Sequence, residues 1–557
     1  MSGPRKVDVV YWLVPLAVGA VAGVAASTIN YVIFTTWATF YGDALKTPTL
    51  FYIFPFTGLA LSYFLVHLLA WYRTPKSSFH TILEVFHLTP TGMMPRETIV
   101  KTMSGIVTCV FGGSAGPEGP SSILSGGFST WLYKATGRRM DSRRALMVGV
   151  AAGFSASFKT PLTGLLFALE LPYRRDLEKE SFIEAAVASS MAYLVAVALD
   201  APSLLPNLQL DIGAVPLVML PIAMVFGLGT GTIVFVFTKI YQLGEEIAKK
   251  LFLRGGYPLM LIIGGFVIGS IGYICPQAVG PGYQMVSLLS GGALASLALV
   301  LILRPIATSF TLTLGGTGGL FLPTLLIGGA WGCIVGTLFA PGMVSIFTLM
   351  GMAAFSSGIH KMMLTPIIFV AEVFGAHTII PIILATVVCF FISGTYGFYP
   401  IQPTNKASQE DLALERFYYK VSKNIPKELE KLTANDIATQ NPISLRSELT
   451  IREALEEFGK TAFRLMPVVD AEERVIGYAA LENLAFLSKT MLDKPLSSVD
   501  LNPPVVFNMD TPILKIIEIM ISKQEDHIFI VDGRGHLKGI ISTIDMTRLL
   551  MRYYANV

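Results

Sequence analysis

Residues 112–120 read GGSAGPEGP, a glycine-rich run that carries an ionisable side chain, Glu118, deep inside an apolar stretch of chain. The run has an echo. At 315–323 the chain reads GGTGGLFLP, and an offset of 203 lays Gly112, Gly113, Gly116 and Pro120 on Gly315, Gly316, Gly319 and Pro323, with Ser114 on Thr317. An apolar segment follows each run, which predicts a loop feeding a helix N-terminus, with Pro in the first turn where its missing N–H does no harm. Such an end presents free backbone N–H groups and a partial positive charge of roughly half a unit, and so attracts anions. Two such ends in related halves point to a midplane site of the kind transporters use.

A second pair of segments shows that the echo is not chance. At an offset of 202, Gly149, Ala151, Ala152, Ser155, Lys159, Leu162, Thr163, Phe167 and Glu170 recur as Gly351, Ala353, Ala354, Ser357, Lys361, Leu364, Thr365, Phe369 and Glu372. Small and aliphatic residues coincide easily in membrane helices, but here two stretches agree on nearly one offset and both keep a Glu. The chain therefore contains a duplication, with halves at about 30–200 and 210–400, of the sort that transporters commonly arrange with inverted topology.

The charges divide the chain. Of 79 Asp, Glu, Lys and Arg residues, 41 fall after residue 400, although 53% of all residues are hydrophobic. A membrane-embedded part (1–405) thus precedes a soluble one, with 406–431 as an amphiphilic linker. Arg5 and Lys6 before the first apolar run favour a cytoplasmic N-terminus for a first membrane helix rather than a cleaved signal peptide. Runs long enough to cross a hydrocarbon core of about 30 Å lie at 10–40, 49–73, 213–241, 257–275 and 377–395. The Gly- and Pro-rich stretches 97–172 and 296–342 suit helices that stop partway, where irregular backbone survives only inside protein or beside a polar cavity. A net charge of +3 without a basic block predicts no nucleic-acid partner, and Cys109, Cys275, Cys333 and Cys389, none in a C-x-x-C spacing, read as buried thiols without disulfide or metal.

A smaller repeat follows. Ile451, Glu456, Val469, Asp470 and Gly477 recur as Ile513, Glu518, Val531, Asp532 and Gly539 at an offset of 62, each copy reading helix, β-rich run, turn, strand, helix. This resembles a tandem pair of cystathionine-β-synthase (CBS) domains, at about 432–492 and 493–557. The resemblance implies that Ser542 and Asp545, after Gly539, contact phosphate or ribose of an adenine nucleotide. Ala480 and Asn483 stand at these positions in the first copy and carry neither hydroxyl nor charge. A pair used only for dimer contacts and assembly is the alternative.

With both repeats in place, the chain resembles the CLC family of chloride channels and chloride/proton exchangers over essentially its whole length. GPEGP at 116–120 is similar to the family's G-[KR]-E-G-P, and GLFLP at 319–323 to its G-x-F-x-P. The resemblance implies an all-α polytopic membrane domain with an internal, inverted repeat and an α/β CBS pair in the cytoplasm, as a homodimer in a cell membrane. Gly116, Pro117, Gly119, Pro120, Gly319 and Pro323 then shape the selectivity loops. The amides of Leu320 and Phe321 hold the anion, neutral donors that can also release it. Tyr399 donates its phenol to the same ion, or else is an interfacial anchor like Tyr396. Glu118 is the gate, its carboxylate occupying an anion site when ionised, or more simply a helix cap.

Two departures from the family pattern follow. The motif G-S-G-I-P is replaced by KSSFH at 76–80, where Ser77 takes the serine position with Ser78 as a rival, and Pro117 replaces the basic residue before the gate. Leu171 stands where exchangers carry an internal glutamate. Glu170 or water then relays protons, or Glu170 only satisfies neighbouring backbone and the protein is a passive, glutamate-gated chloride channel. We read the chain as that channel, with chloride/proton antiport as the alternative and no cofactor required beyond the nucleotide. Other classes fit less well. None of the seven histidines begins H-E-x-x-H, as an intramembrane metalloprotease requires. Cation transport needs clustered intramembrane acids, whereas Glu118, Glu170 and Glu372 are far apart in sequence. A membrane sensor without transport is the remaining alternative.

Overall fold

The computed structural model describes residues 9–555 except 71–75, 90–91, 137–139, 206–207, 209, 211–214, 291, 376–377, 395–396, 407–408, 423–424, 462, 482–483, 485–490, 500 and 524. Arg5, Lys6, Tyr396 and Asn483 lie outside the described residues. The chain divides after Lys406 into two compact units.

The first unit is all helix. Its first half runs α1 (Val9–Lys46), α2 (Leu50–Leu69), α3 (Ser78–Leu88), α4 (Pro95–Val110), α5 (Glu118–Ala135), α6 (Ser142–Phe158), α7 (Pro161–Glu170) and α8 (Phe182–Ala198). The second half runs α9 (Met219–Ile274), α10 (Val286–Leu289), α11 (Leu294–Thr313), α12 (Phe321–Phe339), α13 (Val344–His360), α14 (Leu364–Phe374) and α15 (Ile379–Ile392). Within α9, Gly255 and Gly256 leave helical geometry (φ −146° and +62°), which makes two crossings where two apolar runs were expected.

Seven helices among the described residues are long and apolar enough to cross a membrane. Leu68, Val225, Phe266 and Ile302 are among many large apolar side chains left exposed on their outer faces, a perimeter suited to lipid rather than water. The protein is an integral membrane protein. Two span expectations need correction. The run 377–395 yields α15 with only 14 residues, about 21 Å long and short of a crossing. Conversely, 296–342 holds α11 and α12 on either side of one loop, and both helices are long enough to cross. The glycines within α12 do not break it but let α13 approach: a Cβ on Gly328 would lie 2.2 Å from the Gly351 carbonyl oxygen, and one on Gly351 would lie 2.1 Å from that of Gly328.

The duplication has a local twofold. Gly116 and Gly319, equivalent by sequence, pair as an antiparallel bridge, each amide donating to the other's carbonyl at 2.8 Å. The flanking lashings repeat in kind: Ser114 N–H donates to Thr311 Oγ1 at 3.0 Å, and Thr317 N–H to Thr108 Oγ1 at 3.1 Å. Lys159 and Lys361 both end their helices in the left-handed region at φ 57°.

The second unit holds two sheets. One has the strand order β2-β3-β4 (Leu445–Arg446, Leu465–Val469, Val475–Ala480), and the other β1-β7-β6-β5 (Thr439–Gln440, Leu537–Ser542, His527–Val531, Val506–Asn508). Strand β1, from the start of the first copy, pairs with β7 of the second, so the two copies interlock. The segment expected as a linker is largely folded. Its helix Gln409–Val421 buries Leu414 and Val421 in the core of the second copy, with Phe417 packed against it, at the i, i+3, i+7 spacing of one helical face. The repeated Asp470 and Asp532 close their β-turns by accepting backbone N–H groups. The His536 side chain and these amides hold the Asp532 carboxyl well below the usual carboxylate range.

Candidate functional site

The two glycine loops bring the start of α5 against the start of α12, and the start of α3 closes the junction, with Ser78 N–H donating to the Gly318 carbonyl at 2.9 Å. Glu118 is the first residue of α5, yet its fully buried carboxylate reaches across to the other helix. Oε1 accepts from the Leu322 amide at 3.1 Å, with the Phe321 amide also close, while Oε2 is buried without a well-formed hydrogen bond. A carboxylate thus sits on free N–H groups of a helix N-terminus, where an anion is most favoured. The loop glycines make the room: a Cβ on Gly319 would stand 2.2 Å from Glu118 Oε1, and one on Gly116 2.0 Å from Oε2. Pro117 immediately precedes α5, and Pro120 and Pro323 occupy first turns, as expected.

Leu320 is the N-cap of α12 and Phe321 its first residue, so both belong to the set of amides without intrahelical partners. The amide that bonds Glu118 most clearly, Leu322, was not among the sequence candidates. Both serines of KSSFH reach this junction. Ser77 caps α3 by accepting from the His80 amide at 3.3 Å, and its hydroxyl lies close to the buried Tyr399. The Ser78 hydroxyl is buried without a partner beside Gly119, whose Cβ would lie 2.6 Å from it. Tyr399 is fully buried, not an interfacial anchor, and its hydroxyl lies 3.1 Å from His360 Nδ1. Sequence reasoning passed over His360. The signal available was the repeat itself, which puts Phe158 at the equivalent position.

On the other side of Tyr399, the Arg174 guanidinium donates to its carbonyl at 3.3 Å. Arg174 also lines a cavity of about 340 Å³ together with Arg175, Lys361, Glu170, Asp176 and Phe390.

Glu170 is committed elsewhere. Its carboxylate accepts from the amides of Met363, Leu364 and Thr365 at 3.1, 2.8 and 2.6 Å and from the Thr365 hydroxyl at 2.7 Å, capping α14. Glu372 returns the favour to α7 through Leu162 and Thr163. Of the two roles open for Glu170, this geometry supplies the backbone-satisfying one, and Leu171 beside it is fully buried. Glu170→Gln keeps the shape but removes charge from four hydrogen bonds, and should cost about 2–3 kcal/mol of stability. Thermal unfolding in detergent measures this; an unchanged midpoint with altered proton movement would contradict the capping role.

In the second unit, Ser542 and Asp545 line a cavity of about 530 Å³ with Arg464, Asp526, His527 and Arg548. They also bond each other: the Ser542 hydroxyl and amide donate to Asp545 Oδ2 at 2.6 and 2.9 Å, capping the helix Thr543–Ala555. The volume lies within the range of small-molecule sites, and two guanidinium groups suit phosphate.

Comparison with known proteins agrees with this geometry. The family model described as voltage gated chloride channel matches residues 58–394, and the CBS domain model matches 434–487 and 496–552. An uncharacterized protein of Methanocaldococcus jannaschii is 24% identical over 391 residues, covering 69% of this chain and 93% of its own length. The voltage-gated ClC-type chloride channel ClcB of Citrobacter koseri is 25% identical over 312 residues, covering 54% and 73%. Among solved structures, a CLC-type fluoride/proton antiporter superposes with a TM-score of 0.62 at 22% identity, over 72% of this chain and all of that one. A eukaryotic CLC transporter gives 0.57 at 16% identity over 96% and 98%.

Proposed function

We propose, because this chain belongs to the voltage gated chloride channel (CLC) family and ends in a CBS pair, that it carries chloride or another small anion across a cell membrane. Glu118 and the anion compete for the same amides at the start of α12. The observation that carries this reading is the Glu118 carboxylate seated on the Leu322 amide. Ser77, Phe321, Leu322 and Tyr399 are then the anion's neutral donors, and Leu320 adds the capping amide. Neutral donors replace hydration and still let the ion leave. Arg174, whose guanidinium holds the Tyr399 carbonyl, adds a positive charge that favours an anion nearby.

Passive conduction is favoured by the commitment of Glu170 to its cap and by Leu171, which cannot ionise. Proton-coupled exchange is favoured by the unbonded Glu118 Oε2, a ready acceptor for a proton. Chloride-loaded proteoliposomes, with external chloride and pH recorded together and a potassium ionophore present, test both. Chloride release without proton movement supports the channel; uphill proton movement driven by the chloride gradient supports exchange. No chloride release contradicts transport itself. The family reading also carries a homodimer with one pathway per subunit and a cytoplasmic CBS pair.

We further propose an adenine nucleotide in the cavity at Ser542 and Asp545, with Arg464 and Arg548 as phosphate partners. At a hundredfold excess over its dissociation constant, ATP should stabilise the soluble unit by about 2.7 kcal/mol. Thermal unfolding with and without ATP checks this, and an Arg464→Ala, Arg548→Ala double variant should lose the shift. No shift in the native protein leaves the pair an assembly module.

A further inference from the structure

His360, the last residue of α13, is fully buried against the rings of Phe79, Phe321 and Tyr399, where the other repeat half carries Phe158. Both ring nitrogens are engaged. Nδ1 lies 3.1 Å from the Tyr399 hydroxyl and Nε2 3.2 Å from Thr324 Oγ1. Thr324 makes its shorter contact, 2.8 Å, to the Phe321 carbonyl, which can only accept, so its proton goes there and its lone pair faces Nε2. A neutral ring therefore carries its proton on Nε2 and takes the Tyr399 O–H on Nδ1. In that state Tyr399 has no proton to offer an anion. A doubly protonated ring donates from both nitrogens; the Tyr399 oxygen then accepts, and its O–H is free to turn towards Ser77 and the anion.

Resting on the anion-site reading above, we propose that His360 is a proton-accepting positioning residue of the pathway: its protonation and anion occupancy at Tyr399 favour one another, in a chain with leucine at 171. The other ionisable groups around this pair are few. Glu118 approaches from α5 and Tyr241 from α9. The Arg174 guanidinium sits on the Tyr399 carbonyl, and Lys361, next in the chain, directs its Nζ to Ser393 Oγ at 2.7 Å. Gln402 fixes the backbone by donating to the His360 carbonyl at 3.3 Å.

Chloride titration calorimetry on the detergent-solubilised full chain tests the coupling, in a Glu118→Gln background that removes the gate's own titration. Chloride affinity should rise about tenfold from near pH 7.5 to near pH 5, an ordinary size for linked binding. Adding His360→Gln, which bonds but does not protonate, should leave binding with a flat pH profile. Should that variant fold poorly, Tyr399→Phe keeps the ring and cuts its link to the anion, and should also flatten the profile. An unchanged pH slope in either double variant, or a flat profile in Glu118→Gln alone, overturns the proposal. Absence of chloride binding at every pH overturns the anion-site reading itself and the proposal with it.

Discussion

Glu118→Gln should remove from chloride flux the pH dependence that the carboxylate itself imposes, bind chloride at least tenfold more tightly, and abolish any proton movement. The native carboxylate holds the Leu322 amide at 3.1 Å in full burial. A charge-assisted hydrogen bond contributes about 1.5–3 kcal/mol, which an incoming anion must first displace. Glutamine has the same length but no charge, so the helix end no longer prefers it over chloride. Each 1.4 kcal/mol removed from the competitor is about tenfold in apparent affinity. Flux in proteoliposomes at two pH values, together with chloride calorimetry, measures both effects. A glutamine variant with native affinity and native pH dependence would show that the carboxylate does not compete with the anion.

Gly319→Ala is the second large effect. The new methyl would stand 2.2 Å from Glu118 Oε1 and 2.8 Å from the Gly119 amide, so either the carboxylate is unseated or the Gly116–Gly319 bridge opens. Overpacking of this kind costs about 1–3 kcal/mol. Here it falls on the junction of both loops, and chloride flux should drop at least tenfold, since sub-ångström placement of donors sets transport and binding alike. Gly342→Ala is the control, because a Cβ there meets nothing within 4 Å. Equal flux in the two variants would mean that the loop junction is not the pathway.

What could be read from the sequence follows what side chains advertise. Glu118, the two loops and their equivalence were legible because a repeat fixes equivalent positions and an acid in apolar sequence demands a reason. Leu322 was not: the resemblance pointed to the amides of Leu320 and Phe321, and which free amide of that helix start meets the carboxylate depends on how the two helix ends face each other. The reciprocal caps show the same limit: Glu170 and Glu372 were visible as a pair, but that each serves the other half's helix needs the fold. His360 was hidden as a lone histidine in an apolar helix. Hydropathy misjudged 377–395 because it does not see helix ends, here Thr378 and Gly394 at φ 53°. It misjudged 296–342 for the opposite reason, counting the packing glycines of α12 as breaks. The charged connector read as a linker, yet Leu414, Phe417 and Val421 form one apolar face that the second CBS copy covers.

If the Glu118 carboxylate occupies an anion's place on the N-terminus of α12, removing its charge should let a free anion take that place. Anomalous diffraction from crystals of Glu118→Gln grown in bromide tests it most directly, because bromide is an anion that reports its own position. A bromide peak is expected at the present position of Glu118 Oε1, within hydrogen-bonding reach of the Leu322 and Phe321 amides, with the glutamine side chain swung aside. Bromide bound only elsewhere, with the glutamine still seated on Leu322, would contradict it.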